Sequence, residues 1–544
     1  MAGPGSKKQN FMHGAAILTI GVIIMKILGA IYKIPLGNIL GDEGYSMFIS
    51  AYSIYNIFFI LTTAGLPIAL SRMIAEADAH GRRKQEVRLF RVALVTFAVI
   101  GLVFSLILFF GSDWLAAKYL ENPDASLSVR AMAPAIMLVC LVSAFRGYCQ
   151  GNGNMIPTTV DEVLEVLFKV VAGLILSTAF LKAGKGLPLG SAGAILGVSV
   201  GGIVSLAYMV IYKKKNYSFR LAENSFDADA DAGSADPALK IVKDLLRISI
   251  PIALGSCIMA ILNSVDSKLC MNRLQSAAGF TYREAKVLYG VYGKAQTLFN
   301  LPAAFITPLT ISIVPAIAGA LSLNEREKAT GITEDSLRIS AVISLPMGAG
   351  LAVLSFAIMN LLYPNSHEAG PGLLSIMGIA SFFVCIVLME NAVLQASGKE
   401  RLPMYSMVTG SLVKIAINWF LVANRSINIY GAPVGTLCGY VTMAVMNYVF
   451  MCTSLPSRPR LGKIFLRPLI CTAAMSAAAA GAYSLLGALL GTGSRIGLVL
   501  CTCASIAAAA VVYLLVVIFT RAVTAEDMNM IPGGAKIGKL LHMK

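Results

Sequence analysis

The chain is a succession of apolar runs, each about as long as the roughly 20 residues a helix needs to cross the hydrocarbon core of a bilayer. Read between polar breaks, the runs number fourteen. They lie at approximately 14–36, 47–70, 91–111, 130–148, 158–181 and 190–212, and then at 248–270, 289–320, 338–362, 371–396, 404–424, 431–453, 464–488 and 494–520. The expected fold is therefore all-α and polytopic. Composition agrees: 57% of the 544 residues are hydrophobic, 13% are charged and mean hydropathy is +0.75, against about 25% charged in a soluble domain.

The net charge of +16 would suggest nucleic acid in a soluble chain, but here the basic residues sit in short loops between apolar runs, so no nucleic-acid partner is expected. With the N-terminus inside, the inner segments carry about 29 Lys and Arg and the outer ones about 9. That bias predicts a multi-pass protein with both termini cytoplasmic. Met1–Gly14 is short and polar. The run after it contains Lys26 and Lys33 and no small-residue cleavage site, so it reads as a retained helix rather than a signal peptide. Ten cysteines, most of them inside apolar runs, show neither metal-ligand spacing nor a disulfide framework, and the four histidines are scattered. Cys501 and Cys503, two apart, are expected on different sides of one helix. There is no Walker A, HExxH or nucleophile-elbow motif, so neither ATP hydrolysis nor enzymatic turnover has sequence support.

Lys213–Lys243 is the longest hydrophilic stretch, and its Asp-rich middle has a composition typical of disorder. It divides two halves that echo each other. Gln150, Pro157, Lys169 and Gly193-Ala-Ile-Leu-Gly197 recur in order as Gln395, Pro403, Lys414 and Gly431-Ala-Pro-Val-Gly435. The expected organisation is an N-terminal lobe (1–212), a cytoplasmic linker (213–247), a pseudo-equivalent six-helix C-terminal lobe (248–453), an accessory helix pair (454–520) and a cytoplasmic tail (521–544). Six-helix repeats are a transporter architecture with the substrate site at the repeat interface.

Ionisable groups inside the runs are the most informative residues, because each costs about 2.5–3.5 kcal/mol at a helix centre and so is expected to face a partner or a water-filled cavity. Lys26 and Lys33, seven apart, share one face of the first span; Lys26 is the deeper, and Lys33 has the alternative of snorkelling to the headgroups. Lys294 stands near the start of the eighth span and is followed by Pro302, Pro308 and Pro315, which predict kinks. Asp266 and Lys268 lie on opposite faces of the seventh span, Asp266 with Asn263 and Arg273, Lys268 with Ser264 and Asn272; the sequence leaves open which stripe matters. Arg72 closes the second span as topology anchor or ligand. Glu162, Glu165 and Lys169 form a stripe in which Glu165 and Lys169 are expected to pair. Lys414 and Asn418 form a similar stripe in the eleventh span, and Glu390 reads as structural. The embedded groups are mainly lysines, a lining that favours phosphate or pyrophosphate; a pump for cationic drugs would want carboxylates there.

Leu28-Gly-Ala-Ile-Tyr-Lys33, Leu40-Gly-Asp-Glu-Gly44 and Ala64-Gly-Leu-Pro-Ile-Ala-Leu-Ser71, with Phe145-Arg-Gly-Tyr-Cys-Gln-Gly151 and Leu394-Gln-Ala-Ser-Gly-Lys399, resemble the polysaccharide-biosynthesis and SpoVB/YtgP proteins. These belong to the multidrug/oligosaccharidyl-lipid/polysaccharide (MOP) exporter superfamily, which includes MurJ-type lipid II flippases. The resemblance covers nearly the whole chain. It implies a V of two six-helix lobes with two appended helices, in the bacterial plasma membrane, around a cationic cavity. It further implies alternating access for an anionic polyprenyl-pyrophosphate-linked glycan whose tail stays in lipid. By motif position Lys26 and Lys294 fall where that family's essential basic residues are expected, and Lys33 lies close to a second such position. Arg72, Asp266 and Lys268 complete the candidate substrate-binding set, and Asp266, Lys414 and Asn418 are candidates for an ion or built-in counter-ion. No resident cofactor is implied; coupling to membrane potential or to Na+ or H+ is left open, and a monomer is expected. Lysines stand where MurJ-type proteins carry arginines, which keeps charge, gives up bidentate geometry and leans toward the SpoVB/YtgP branch. The alternatives are export of another lipid-linked oligosaccharide or polysaccharide (a sporulation-specific role included), a multidrug cation antiporter and a non-transporting scaffold.

Overall fold

A computed structural model describes residues 11–222, 236–323, 325–455, 457–491, 494–520 and 522. The Asp-rich middle of the linker and nearly all of the tail lie outside these residues. Every expected apolar run is helical. Among the described residues, twelve stretches are long and apolar enough to span a bilayer. The first, Gly21–Ala79, contains two of the expected spans, and Arg401–Leu421 supplies the remaining one, so twelve plus one plus one gives the fourteen read from sequence. Packing divides the chain into two compact units, Met1–Met271 and Asn272–Lys544.

The first unit opens with α1 (Phe11–Thr63), whose helical geometry breaks at Gly41 (φ 65°, ψ −174°). A backbone at that φ favours glycine, so Gly41 is where the first apolar leg turns into the second. Then follow α2 (Leu66–Ala79), α3 (Arg83–Trp114), the short α4 (Ser126–Ala131), α5 (Ala133–Gly151), α6 (Ile156–Lys182), α7 (Gly186–Ala222) and α8 (Ala238–Ser276). On the second leg of α1 an aromatic ladder runs Tyr45, Phe48, Tyr52, Tyr55, Phe59, with successive centroids 5.4–5.7 Å apart. The three-and-four spacing puts all five rings on one helix face. Tyr32 joins them edge-on at Phe48 and donates to the Ala194 carbonyl at 2.8 Å, which ties α1 to α7. A second core gathers Leu70, Ile74, Phe90, Phe97, Phe145 and Tyr148 from α2, α3 and α5. Outside these cores α3 presents Val95, Val99, Leu102, Leu106 and Phe110 to the surroundings, an exposed apolar stripe suited to acyl chains.

The second unit contains α9 (Tyr282–Phe299), α10 (Leu301–Ser322), α11 (Arg326–Val353), α12 (Ser355–Leu362), α13 (Gly370–Ala396), α14 (Arg401–Leu421), α15 (Gly431–Ser454), α16 (Leu461–Leu490) and α17 (Arg495–Thr520). The expected run 289–320 is two helices: hydrogen bonding lapses at Asn300, and Pro302 opens α10 where its missing N–H costs nothing. Pro308 and Pro315 lie inside α10. From Ala285 onward α9 is buried nearly all round although it carries Lys286, Lys294, Tyr289 and Tyr292. α16 and α17 pair and pack on α11 and α12 through Leu354, Ala357, Met475, Ala479 and Ala509. Tyr513 donates to the Val342 carbonyl at 2.5 Å. On α17 Cys501 is buried and Cys503 exposed, as their spacing requires.

The sequence echo has a packing counterpart. In the first unit a methyl at Gly197 would fall 2.7 Å from the Lys169 carbonyl oxygen, and in the second a methyl at Gly435 would fall 3.0 Å from that of Lys414. Each unit thus seats a glycine of its repeated motif against the backbone of its embedded lysine.

Candidate functional site

In the first unit, α5, α6 and α7 bring together a charged network. Arg146, 5% exposed, donates from Nε to Asp161 Oδ2 at 2.6 Å and from Nη2 to Glu165 Oε2 at 2.7 Å, and its Nη1 lies 3.8 Å from Glu162 Oε1. Ser205 donates to the other oxygen of Asp161. A guanidinium is suited to this because its planar fork serves two carboxylates at once and stays ionised. Glu165 lies one turn from Asp161 on the same face of α6, and Glu162 borders that face. The expected Glu165–Lys169 pair is therefore corrected: Arg146 takes Glu165, and Lys169 lies within electrostatic range of Tyr52 on the aromatic ladder.

Lys33 meets the same tyrosine. Its Nζ lies 5.4 Å from the Tyr52 ring centroid, within electrostatic range of Lys169 and Lys26. Two half-buried ammonium groups from α1 and α6 thus converge on one ring, and neither is ion-paired to a carboxylate among the described residues. An aromatic face and a phenol oxygen stabilise a cation without neutralising it, so the positive charge remains available to a ligand. Lys26, one face of α1 away from the core, is exposed beside Ile24 and Ile27.

The other expected residues lie elsewhere. Arg72 is exposed midway along α2 and lines a cavity of about 390 Å³ with Glu76, Arg82, Lys240, Asp244 and Arg247. Gln85 holds the chain beside this cavity by donating to the Asp236 carboxylate and accepting from the Asp236 N–H, both at 3.0 Å. On α8 Asp266 is 4% exposed and Asn263 exposed, so the stripe through Asp266 is not uniformly buried. Lys268 lies on the opposite face, 5.6 Å from the Tyr119 ring. Arg273 stacks 3.7 Å over Trp419 and donates to its carbonyl.

In the second unit Lys294 is 1% exposed, its Nζ 5.1 Å from the Tyr363 ring. Lys286, two turns earlier on α9 and 3% exposed, makes the same kind of contact with Tyr282 at 4.5 Å. Asn418 is fully buried, and Lys414, one turn before it, half-buried. Where the first unit has Arg146, Asp161 and Ser205, the corresponding helices carry a neutral set: Asn447 donates to Asn391 at 2.8 Å and accepts from Ser406 at 2.6 Å. Glu390, next to Asn391 on α13, is 4% exposed.

Sequence reasoning missed Arg146, Asp161 and Lys286. Arg146 and Asp161 stand at the ends of apolar runs, where charge reads as a boundary, and Lys286 precedes the expected start of its span. The usable signal was the four-residue spacing of Asp161, Glu165 and Lys169, which marks one polar face inside an otherwise apolar helix.

The arrangement of helices is similar to that of solved transporters of the MOP superfamily. The chain is similar to a multidrug-resistance MATE-family transporter of that superfamily in an inward-facing conformation, with a TM-score of 0.61 at 15% identity over 80% of this chain and 97% of the other. The polysaccharide biosynthesis protein family model matches residues 11–320, more than half of the chain, which belongs to that family; the MatE model matches residues 286–420. Three proteins of Bacillus subtilis (strain 168) are similar along most of its length. Uncharacterized membrane protein YabM is 26% identical over 99% of this chain and 98% of its own. Stage V sporulation protein B is 25% identical over 82% and 85%, and lipid II flippase MurJ is 22% identical over 81% and 82%.

Proposed function

We propose that the chain is an alternating-access flippase that carries an undecaprenyl-pyrophosphate-linked cell-wall precursor from the inner to the outer leaflet of the bacterial plasma membrane, with both termini in the cytoplasm. The observation that carries this reading is the convergence of Lys33 and Lys169 on Tyr52 without a carboxylate partner. Ammonium groups kept inside spans and left un-neutralised cost free energy that a diphosphate headgroup would offset. The buried lysines of α9 extend the same sign into the second unit. Against the multidrug-cation alternative, the carboxylates of α6 are taken up by Arg146. An apolar cavity of about 350 Å³ lined by Leu301, Pro346, Leu354, Met475, Ile506 and Tyr513 suits an isoprenoid tail rather than a headgroup.

A second reading has its own support. Lysines act as point charges that do not demand the planar geometry of one diphosphate ester, and the similarity to stage V sporulation protein B is as strong as that to lipid II flippase MurJ. The substrate then is another polyprenyl-pyrophosphate-linked glycan. The deciding experiment places the purified chain in proteoliposomes with polyprenyl-pyrophosphate-linked saccharides of differing headgroup and follows their leaflet exchange. Exchange is expected to fall about tenfold or more in Lys33→Gln/Lys169→Gln, the loss expected for one or two charged hydrogen bonds. Undiminished exchange in that variant would falsify the assignment of these lysines.

A further inference from the structure

A cavity of about 610 Å³ opens in the second unit, and no lysine is among its lining residues. Three connections wall it: Phe280, Arg283 and Glu284 from the turn into α9, His367 and Glu368 from the segment between α12 and α13, and Asn428 and Tyr430 from the 3₁₀ turn before α15. In the topology set by loop charge all three connections fall on the outer side.

The walls are held in place by local bonds. Thr281 and Glu284 form a capping box, with Glu284 Oε2 accepting from the Thr281 N–H and hydroxyl, both at 2.8 Å. His367 Nδ1 accepts from the Ala369 N–H at 3.2 Å, which fixes the ring at the cavity wall. Asn428 sits at φ 43°, with its Oδ1 accepting from the Ile429 N–H at 2.6 Å. Tyr430 lies over Gly372, where a methyl would come 2.6 Å from the ring, so the aromatic wall depends on that missing side chain.

The lining combines two aromatic rings with donors (Arg283, His367), an acceptor (Glu368) and an amide (Asn428). Arg283 in the lining and Arg425, 6.0 Å over the Phe280 ring, stand against Glu284 and Glu368, so the charges balance and leave no cationic bias for a diphosphate. What suits it is a neutral ring with one C–H face for stacking and a rim of hydroxyls or amides for hydrogen bonds, and its size falls in the range of ligand pockets, about 300–1,000 Å³. We infer that this cavity binds one or two sugar rings of a glycan on the outer side of the membrane. The inference rests on the proposed flippase reading and deepens it by giving the glycan, as distinct from the diphosphate, its own site.

The test uses the full chain in nanodiscs, with N,N′-diacetylchitobiose as probe and saturation-transfer NMR as readout. The disaccharide should receive saturation, and Glu368→Gln and Tyr430→Ala should each weaken its apparent affinity about tenfold, as loss of a charged hydrogen bond or a stacking face does. If Tyr430→Ala does not fold, exposed Glu368→Gln decides alone. Absence of saturation transfer, transfer that Glu368→Gln leaves intact, or transfer to an alanyl-alanine dipeptide in place of the disaccharide overturns the inference. The two readings fail separately: a chain that binds the disaccharide here but moves no lipid-linked glycan sinks the flippase, whereas one that moves lipid but shows no such binding sinks only the pocket.

Discussion

Arg146 is the residue on which most of the first unit's interior charge depends. Its guanidinium faces three carboxylates of α6, two of them within 2.7 Å. Removing one partner of a buried ion pair leaves uncompensated charge and costs about 3–5 kcal/mol, more than the pair itself contributes. Arg146→Ala should therefore lower thermal stability in detergent by that order, and Arg146→Ala/Asp161→Asn should recover part of the loss; a single-variant loss below about 1 kcal/mol would argue against a buried network. Lys33 is a different case. It touches a ring and no carboxylate, so Lys33→Gln should change stability by less than about 1 kcal/mol, the worth of a half-exposed cation–π contact, while slowing exchange. Comparing melting with transport in the two variants separates a structural charge from a ligand-facing one. The sequence marked both Lys26 and Lys33 as embedded, because an isolated Lys in an apolar run stands out, but took Lys26 as the deeper, whereas Lys26 is exposed and Lys33 half-buried. It could not show that Lys169 would choose Tyr52 over Glu165, since that depends on where α1 lies.

At the scale of elements, hydropathy located every span because lipid demands apolar length from each helix, whatever its neighbours. Where helices break was less visible. Gly41 is an ordinary residue in Leu40-Gly-Asp-Glu-Gly44 until a positive φ is required of it, and the interruption at Asn300 only becomes legible through Pro302 two residues on. α9 escaped a clean reading for the opposite reason. It is polar yet buried nearly all round from Ala285 onward, and hydropathy alone cannot separate such a helix from a loop. The repeated glycines were visible as a motif, and their purpose follows from the packing. Gly197→Val would push a side chain into the backbone of Gly173 and the Lys169 carbonyl. It should cost about 1–3 kcal/mol by over-packing. Gly29→Ala, in a helix with no atom within 4 Å of the added methyl, should be neutral or slightly stabilising. Equal melting temperatures for the two variants would show that α6 and α7 do not need their close approach.

For the whole molecule, the two units share a plan but differ in interior charge. Arg146, Asp161 and Ser205 in one correspond to Asn391, Ser406 and Asn447 in the other. On the flippase reading proposed above, the lysines of both units stay fixed to their helices and do not themselves carry charge across the bilayer. The headgroup alone then moves charge, and each unit charge crossing the full field is worth about 2.3 kcal/mol per 100 mV. A potential negative on the cytoplasmic side should therefore speed outward movement of an anionic headgroup and slow its return. Lys294→Gln should reduce the rate at every potential yet leave the steepness of the voltage dependence unchanged, because the moving charge is the same. Proteoliposomes clamped by a potassium gradient and valinomycin supply the measurement. A steepness that falls with Lys294 would mean that the buried ammonium itself travels through the field, and a rate indifferent to potential would mean that a co-moving cation cancels the headgroup's charge.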